Sequence, residues 1–220
     1  MAPKGYEKKS GNGWAEENYA WIIVGAVLVM QTVSSGIGFY NMSVYIKTFS
    51  DLLSVSLAEV SVAASLFYLT GGIAGLYVAA LMDRFPVRVL VFGGALLSSL
   101  ALALMGFARS LLELYCLFSI FGVGSAGISI VVSTTLITRW FEGPDRSMAL
   151  AVSSTGLSLG GFIWTPLTAY WINDLGAVEA MWILAILLLI IVLPIGLILK
   201  FPDLKESQLV SEPSEDQELW

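Results

Sequence analysis

A 220-residue chain that is 57% hydrophobic and 13% charged holds about half the charge usual in soluble domains, so it reads as a polytopic membrane protein. It has no histidine, which excludes Ser-His hydrolases, His-ligated zinc or haem and imidazole proton relays, and its single cysteine, Cys116, excludes an internal disulfide. The formal net charge of -6 is concentrated in the tail from Asp203 to Glu218 rather than on a folded face.

Residues 1–18 form a polar segment in which Lys4, Lys8 and Lys9 are set against Glu7, Glu16 and Glu17, and Trp14 and Tyr19 approach the first apolar run as interfacial anchors. That run, Tyr19 to about Ile46, is too long for a secretory h-region and lacks a clear small-residue cleavage site, so it is expected to remain as span 1. Its second half is unusually polar. Gln31, Thr32, Ser34, Ser35, Tyr40 and Asn41, together with Gly36 and Gly38, predict a bent helix that faces either a wet cavity or neighbouring helices. Lys47 to Glu59 reads as the first loop. Span 2, Val60 to Met82, carries Ser65, Gly71, Gly72, Gly75, Ala79 and Ala80, which permit close helix contact.

The turn from Asp83 to Arg88 is wedged between two apolar runs without charge, Val60 to Met82 and Val89 to Ala108, so it joins two spans at one membrane face. An aspartate at the C-terminal end of a helix has the wrong sign for that helix's dipole. Asp83 is therefore expected to pair with Arg84, Arg88 or the N-terminus of another helix, which would make the turn a docking point. The alternative is that Asp83 only caps the next helix while the arginines hold the loop in the cytoplasm.

Span 3, roughly Val87 to Ala108, is dominated by Leu, Ala and Val and reads as lipid-facing, with Gly93 and Gly94 its only marked small pair. Span 4, about Leu111 to Ile137, is a second polar wall with Ser119, Gly122, Gly124, Ser125, Gly127, Ser129, Ser133, Thr134 and Thr135. Arg139 to Arg146 makes another short charged turn. Span 5 follows from about Met148 to Ile172 with Ser153, Gly156, Gly160 and Gly161, and span 6, about Val178 to Leu199, is rich in Leu and Ile apart from Pro194 and Gly196. Six spans put both termini on one side. Nine of the 11 Lys and Arg residues, Lys4, Lys8, Lys9, Arg84, Arg88, Arg139, Arg146, Lys200 and Lys205, share that side, while Lys47 and Arg109 lie opposite. Both termini are accordingly predicted to be cytoplasmic. A polar, a small-residue and a greasy span occur in that order twice, in opposite orientation, which is the signature of an inverted three-plus-three repeat.

These residues resemble the N-terminal half of a major facilitator superfamily transporter, in particular its monocarboxylate-porter and oxalate–formate-antiporter branch, over about Trp14 to Lys200. Leu81, Asp83, Arg84 and Arg88 match the superfamily's loop motif between the second and third helices, with Ala79 and Pro86 standing where glycines are expected. Arg139-Trp140-Phe141, Arg146, Ala149, Gly156, Gly160, Gly161 and Pro166 look like the branch's more specific arginine-tryptophan-phenylalanine turn and glycine-rich fifth helix. Glu16 to Trp21 is similar to the acidic, aromatic segment that leads into the first helix of monocarboxylate porters, without its glycines. Phe118 stands where many proton-coupled members carry an arginine, and Leu157 follows Gly156 where drug antiporters have proline.

The resemblance implies an all-α fold of six transmembrane helices over residues 19–200, half of a 12-helix carrier, with residues 1–18 and 201–220 as cytoplasmic ends. It implies transport of a small organic anion by alternating access, in a plasma or inner membrane, with a second six-helix half as partner and no nucleic acid, cofactor, metal or catalytic residue. Gln31, Ser35, Tyr40, Asn41, Ser125 and Ser129 are the expected cavity contacts. Asp83, Arg84, Arg88, Arg139 and Arg146 are the expected gate, and Gly71, Gly72, Gly75, Gly156, Gly160 and Gly161 the expected packing surface. In that arrangement spans 1 and 4 line the cavity, 2 and 5 face the other half, and 3 and 6 face lipid. The basic groups that hold a substrate carboxylate in the branch lie mainly in the second half. A self-assembling six-helix transporter or channel, or a truncated fragment that does not transport, is the alternative.

Overall fold

The computed structural model describes residues 13–200, and the side chains of Lys4, Lys8, Lys9 and Trp14 and the acidic tail fall outside the described residues. Among the described residues six helices are long and apolar enough to cross a membrane: Asn18–Tyr40, Leu57–Leu81, Val87–Met105, Leu111–Trp140, Pro144–Leu175 and Ala177–Ile198. These are spans 1 to 6, and every charged residue within them lies in a terminal turn.

Span 1 ends in a wider turn, and a second α-helix follows it. α1 (Gly13–Ser34) passes into a π-helical segment (Ser35–Tyr40), closed by the Asn41 N–H donating to the Gly36 carbonyl at 3.1 Å, and α2 (Met42–Leu53) continues beyond it. The predicted loop from Lys47 is thus helical. The real connection is Ser54 to Ser56, where Ser54 adopts φ 54° and Ser56 opens α3 (Leu57–Leu81) with a reciprocal capping box to Glu59. Lys47 and Asp51 are one helical turn apart on α2, and their exposure on an amphipathic helix is what made the stretch look like a loop.

α4 (Val87–Met105) forms span 3. Span 4 breaks at Gly127 to Ser129 into α5 (Leu111–Ala126) and α6 (Ile130–Trp140), with Ser129 capping the second piece through the Val131 N–H. α7 (Pro144–Leu175) begins earlier than its apolar run because Pro144 is pre-set for a first turn, so Asp145 and Arg146 belong to the helix rather than to a charged turn. Gly176, at φ 102°, turns α7 into α8 (Ala177–Ile198).

The packing has the symmetry that the sequence pattern predicts. Span 1 packs on span 5 and span 2 on span 4, span 3 meets span 6, and the span 3–4 contact is matched by span 6–1. Exchanging spans 1, 2 and 3 for 4, 5 and 6 leaves this set of partners unchanged, as an inverted repeat requires. Glycines set the closest approaches at corresponding places. A Cβ on Gly71 would lie 3.2 Å from the Gly122 carbonyl oxygen across spans 2 and 4, and one on Gly160 would lie 2.8 Å from the Gly36 nitrogen across spans 5 and 1.

Two expectations about faces change. Gly156 and Gly160 pack against Leu28, Thr32, Ser35 and Gly36 of span 1, and Gly161 against the Tyr40 ring, so span 5 does not present its glycines to an absent partner. Only Gly72 and Gly75 of the six packing glycines have open space beside them. Span 3, read as lipid-facing, also buries Val91, Gly94, Ala95, Ser98 and Leu102, because Gly94 lets it close onto Gly124 and Gly127 of span 4. Its other face, with Val89, Leu96 and Leu100, is exposed.

Candidate functional site: a charge-free cavity and a clamped end

The basic end of the bundle is tied together by bonds between distant segments. Asp83 pairs with Arg139, at the end of span 4, rather than with the neighbouring Arg84 or Arg88. Arg88 instead donates from Nε to the Leu199 carbonyl at 3.0 Å. The Tyr19 hydroxyl donates to the Ile198 carbonyl at 2.6 Å, and Trp140 Nε1 donates to the Lys200 carbonyl at 2.7 Å. Three consecutive carbonyls at the C-terminal end of span 6 are thereby held by spans 1, 3 and 4. Aromatic contacts reinforce the clamp: Tyr19 lies 5.4 Å from Trp140, and Trp21 meets Phe141 edge-on at 5.4 Å. The Arg-Trp-Phe turn therefore joins the loop between spans 2 and 3 to spans 1 and 6. Arg84 and Arg146 are exposed and make no ion pair or side-chain hydrogen bond among the described residues.

The Asp83 side chain is 70% exposed and that of Arg139 is 31% exposed, so solvent screens the pair from the aspartate side and it contributes about 1 kcal/mol or less to stability. Asp83→Asn is accordingly expected to leave thermal unfolding and membrane insertion close to normal. Its effect falls on any rearrangement that must break and re-form the pair, and the double variant Asp83→Arg with Arg139→Asp restores what either single variant loses. Unfolding in detergent compared with uptake in the assembled carrier measures the two sides. Uptake unaltered by Asp83→Asn would reduce the Asp83–Arg139 pair to a surface contact without a part in transport.

A cavity of about 420 Å³ opens between spans 1, 2 and 4. The π-segment contributes Ser35, Phe39 and Tyr40, span 2 contributes Phe67, Tyr68, Gly71 and Gly72, and span 4 contributes Ser125 near the end of α5 and Ser129 at the break, with Leu157 the sole residue of span 5. Both irregular stretches of backbone thus face the cavity, as expected where helix geometry is interrupted for a binding site. No Lys, Arg, Asp or Glu lines it. The volume lies within the ~300–1,000 Å³ range usual for small-ligand sites.

Four of the six expected contacts, Ser35, Tyr40, Ser125 and Ser129, are in this lining, and Gln31 and Asn41 are not. Gln31 is 1% exposed, inside the bundle, with neither amide atom bonded to a described residue. Asn41 is fully buried and donates to Thr168 Oγ1 on span 5 at 2.7 Å, next to Tyr45, whose hydroxyl donates to the Ile37 carbonyl at 2.9 Å. The extra residue in the π-turn changes the phase of everything after it, which directs Asn41 to span 5 instead of the cavity. Phe39 and Tyr68 were missed. Their place in the lining follows from the same phase change and from the small floor at Gly71 and Gly72, neither of which a residue-type search detects. Phe118 is completely buried against Tyr45 and Phe49, so apolar packing fills its position in span 4.

A six-span inverted repeat with a cavity at its interrupted helices defines a polytopic helical membrane protein. The chain belongs to the Major Facilitator Superfamily, which its residues 28–218 match. It is 29% identical to the oxalate:formate antiporter of Oxalobacter formigenes over 87% of this chain and 44% of that one. It is 31% identical to a probable chloroplastic anion transporter 3 of Arabidopsis thaliana over 61% of this chain and 27% of that one, and 29% identical to human monocarboxylate transporter 6 over 74% and 32%. The chain therefore spans less than half the length of these relatives. Its fold superposes on a bacterial homologue of the human lysosomal transporter Spinster, crystallised inward-facing and unoccupied, with a TM-score of 0.70 at 16% identity, covering 84% of this chain and 44% of that one.

Proposed function

We propose that this chain is one six-span half of a secondary carrier that moves a small organic anion by alternating access against a second six-helix half. The observation that carries this reading is the cavity: it lies at interrupted helices, it is charge-free, and it is built by one bundle alone. A midplane site for an anion requires a cation somewhere, and a second half is where that cation would come from. The names of the oxalate:formate antiporter and the monocarboxylate transporter support an organic anion as the class of substrate. The bundle sits in a plasma or inner membrane with lipid around spans 3 and 6.

The Lys and Arg distribution supports cytoplasmic termini, with Arg84, Arg88, Arg139 and Arg146 inside and Lys47 and Arg109 outside. In a Cys116→Ser background, single cysteines replacing the exposed Asp51 and Glu142 are expected to react with an impermeant maleimide from outside only at residue 51. Ser50 is a poor site for this label, because it is buried and its hydroxyl donates to the Val55 carbonyl at 2.7 Å. Labelling at residue 142 in intact cells would invert the topology.

The transport test co-reconstitutes the chain with a matching C-terminal half and follows labelled lactate, oxalate and formate. Tyr40→Phe and Ser129→Ala each remove one hydroxyl from the lining and are expected to raise the half-saturation concentration by about 2- to 12-fold. Gln31→Ala and Asn41→Ala, outside the lining, change it less. The cavity assignment fails if all four lining positions, Ser35, Tyr40, Ser125 and Ser129, can be replaced by alanine (Ser35→Ala, Tyr40→Ala, Ser125→Ala and Ser129→Ala) without altering the kinetics.

A further inference from the structure

The cavity has a hydroxyl wall and an aromatic wall, and the hydroxyl wall is poor in donors. Ser35 donates its proton to the Leu157 carbonyl at 3.1 Å, Ser125 to the Gly122 carbonyl at 2.8 Å and Tyr68 to the Phe39 carbonyl at 3.3 Å. What these groups turn to the cavity is oxygen lone pairs. A carboxylate accepts hydrogen bonds and donates none, so these three hydroxyls offer it nothing. Ser34, Tyr40 and Ser129 keep a hydroxyl proton, yet no cation backs them, and a charge placed there would lose its hydration without compensation.

The aromatic wall is built differently. Phe39 meets Tyr40 at 5.2 Å and Tyr68 at 5.6 Å, both edge-on, and remains 57% exposed. Beside this cluster a Cβ on Gly72 would meet nothing within 4 Å. An edge-to-face cluster whose rings are all partly uncovered, in the same lining as a glycine with open space beside it, leaves a slot for a further ring, since aromatic pairs favour centroid separations of about 4.5–7 Å.

We propose that this half binds the ring of an aryl carboxylate, against Phe39 and Tyr68 and over Gly72, with the carboxylate directed away from this bundle toward the surface a second half would cover. The carboxylate in that proposal rests on the carrier reading above, whereas the ring slot rests on the geometry alone. The substrate is divided by chemistry: its apolar end lies on this chain and its charge on the partner.

The test uses the 220-residue chain in lipid nanodiscs, with empty nanodiscs as blank, and fluorine NMR of three probes: 4-fluorophenylacetate, its neutral amide 4-fluorophenylacetamide, and fluoroacetate. The chain is expected to bind the acid and the amide within about twofold of each other and to give no saturable signal with fluoroacetate, as recognition of the ring alone requires. Phe39→Ala weakens both ring probes by about tenfold. Gly72→Leu, which fills the slot from a position with open space, abolishes their binding, and Phe107→Ala, in the aromatic contact with Trp182 outside the cavity, leaves it unchanged. Binding of the acid without the amide, or equal binding by the Gly72→Leu and unsubstituted chains, overturns the ring slot. Uptake by the assembled pair separates the two readings. Lactate uptake that 4-fluorophenylacetate does not inhibit removes the ring slot and leaves the carrier, and ring binding by a pair that takes up no carboxylate does the reverse.

Discussion

Gly160→Val is expected to prevent the chain from accumulating as a folded, monodisperse protein, and Gly160→Ala to lower its midpoint of thermal unfolding in detergent. Even the alanine Cβ would lie 2.3 Å from Ser35 Oγ, 2.5 Å from the Thr32 carbonyl oxygen and 2.8 Å from the Gly36 nitrogen, and two of those three atoms belong to backbone that cannot rotate away. Overpacking of this kind costs about 1–3 kcal/mol, equivalent to roughly 2–12 °C in a chain of this size. Gly122→Ala, whose Cβ would be 2.4 Å from the Phe67 carbonyl oxygen, belongs to the equivalent contact of the other repeat and should fall by a similar amount. Gly75→Ala is the control. It is helical, has nothing within 4 Å of its Cβ position, and gains up to about 1 kcal/mol of helix propensity, so its midpoint stays or rises. A Gly160→Ala protein that melts with the unsubstituted chain, or a Gly75→Ala protein that falls as far as Gly122→Ala, would contradict the assigned interfaces.

The contrast between Gly160 and Gly75 also marks what was legible in the sequence. Both belong to small-residue stretches of a span, and that composition announces close packing without naming the neighbour. The neighbour depends on which face of the helix the glycine occupies once all six spans are in place. Span count and the internal repeat were legible because each follows from a property summed over some 20 residues, the apolar length or the alternation of polar, small-residue and greasy spans. The ends of α2 and α7 were not, because Lys47, Asp51, Asp145 and Arg146 are charged residues on exposed turns of helix that composition alone assigns to loops. Asp83 was recognisable as a helix-end acid in need of a cation, while its choice of Arg139 over Arg84 and Arg88 depends on a contact 56 residues away in the chain. For the cavity, Ser35, Tyr40, Ser125 and Ser129 were found by polarity in an apolar span. Gln31 and Asn41 satisfied the same criterion and point elsewhere: Gln31 lies on the buried face of α1, and Asn41 follows the π-turn at Ser35–Tyr40, whose change of phase no count of polar residues contains.

The 220-residue chain alone is expected to carry no saturable, gradient-driven flux of lactate, oxalate or formate in liposomes, and flux is expected to appear when a matching C-terminal half is present. Alternating access needs two bundles that move against each other around a site between them, and the cavity here has walls from spans 1, 2 and 4 and one residue of span 5 only. The electrostatics are as restrictive as the geometry. All charged residues of the six spans lie in terminal turns, so an anion at the midplane of this bundle would meet no Lys or Arg, and a second copy of the same chain would supply none either. Self-assembly through the open faces at Gly72 and Gly75 could close the cavity without providing that counter-charge. The decisive comparison holds lipid, gradient and protein amount constant and varies only the second half. Uptake that requires it supports the division of labour between halves. Saturable accumulation by the chain alone would instead make a homodimer the transporting unit, and the anion would then have to be stabilised by the hydroxyl protons of Ser34, Tyr40 and Ser129 from two copies, a possibility that Tyr40→Phe tests directly.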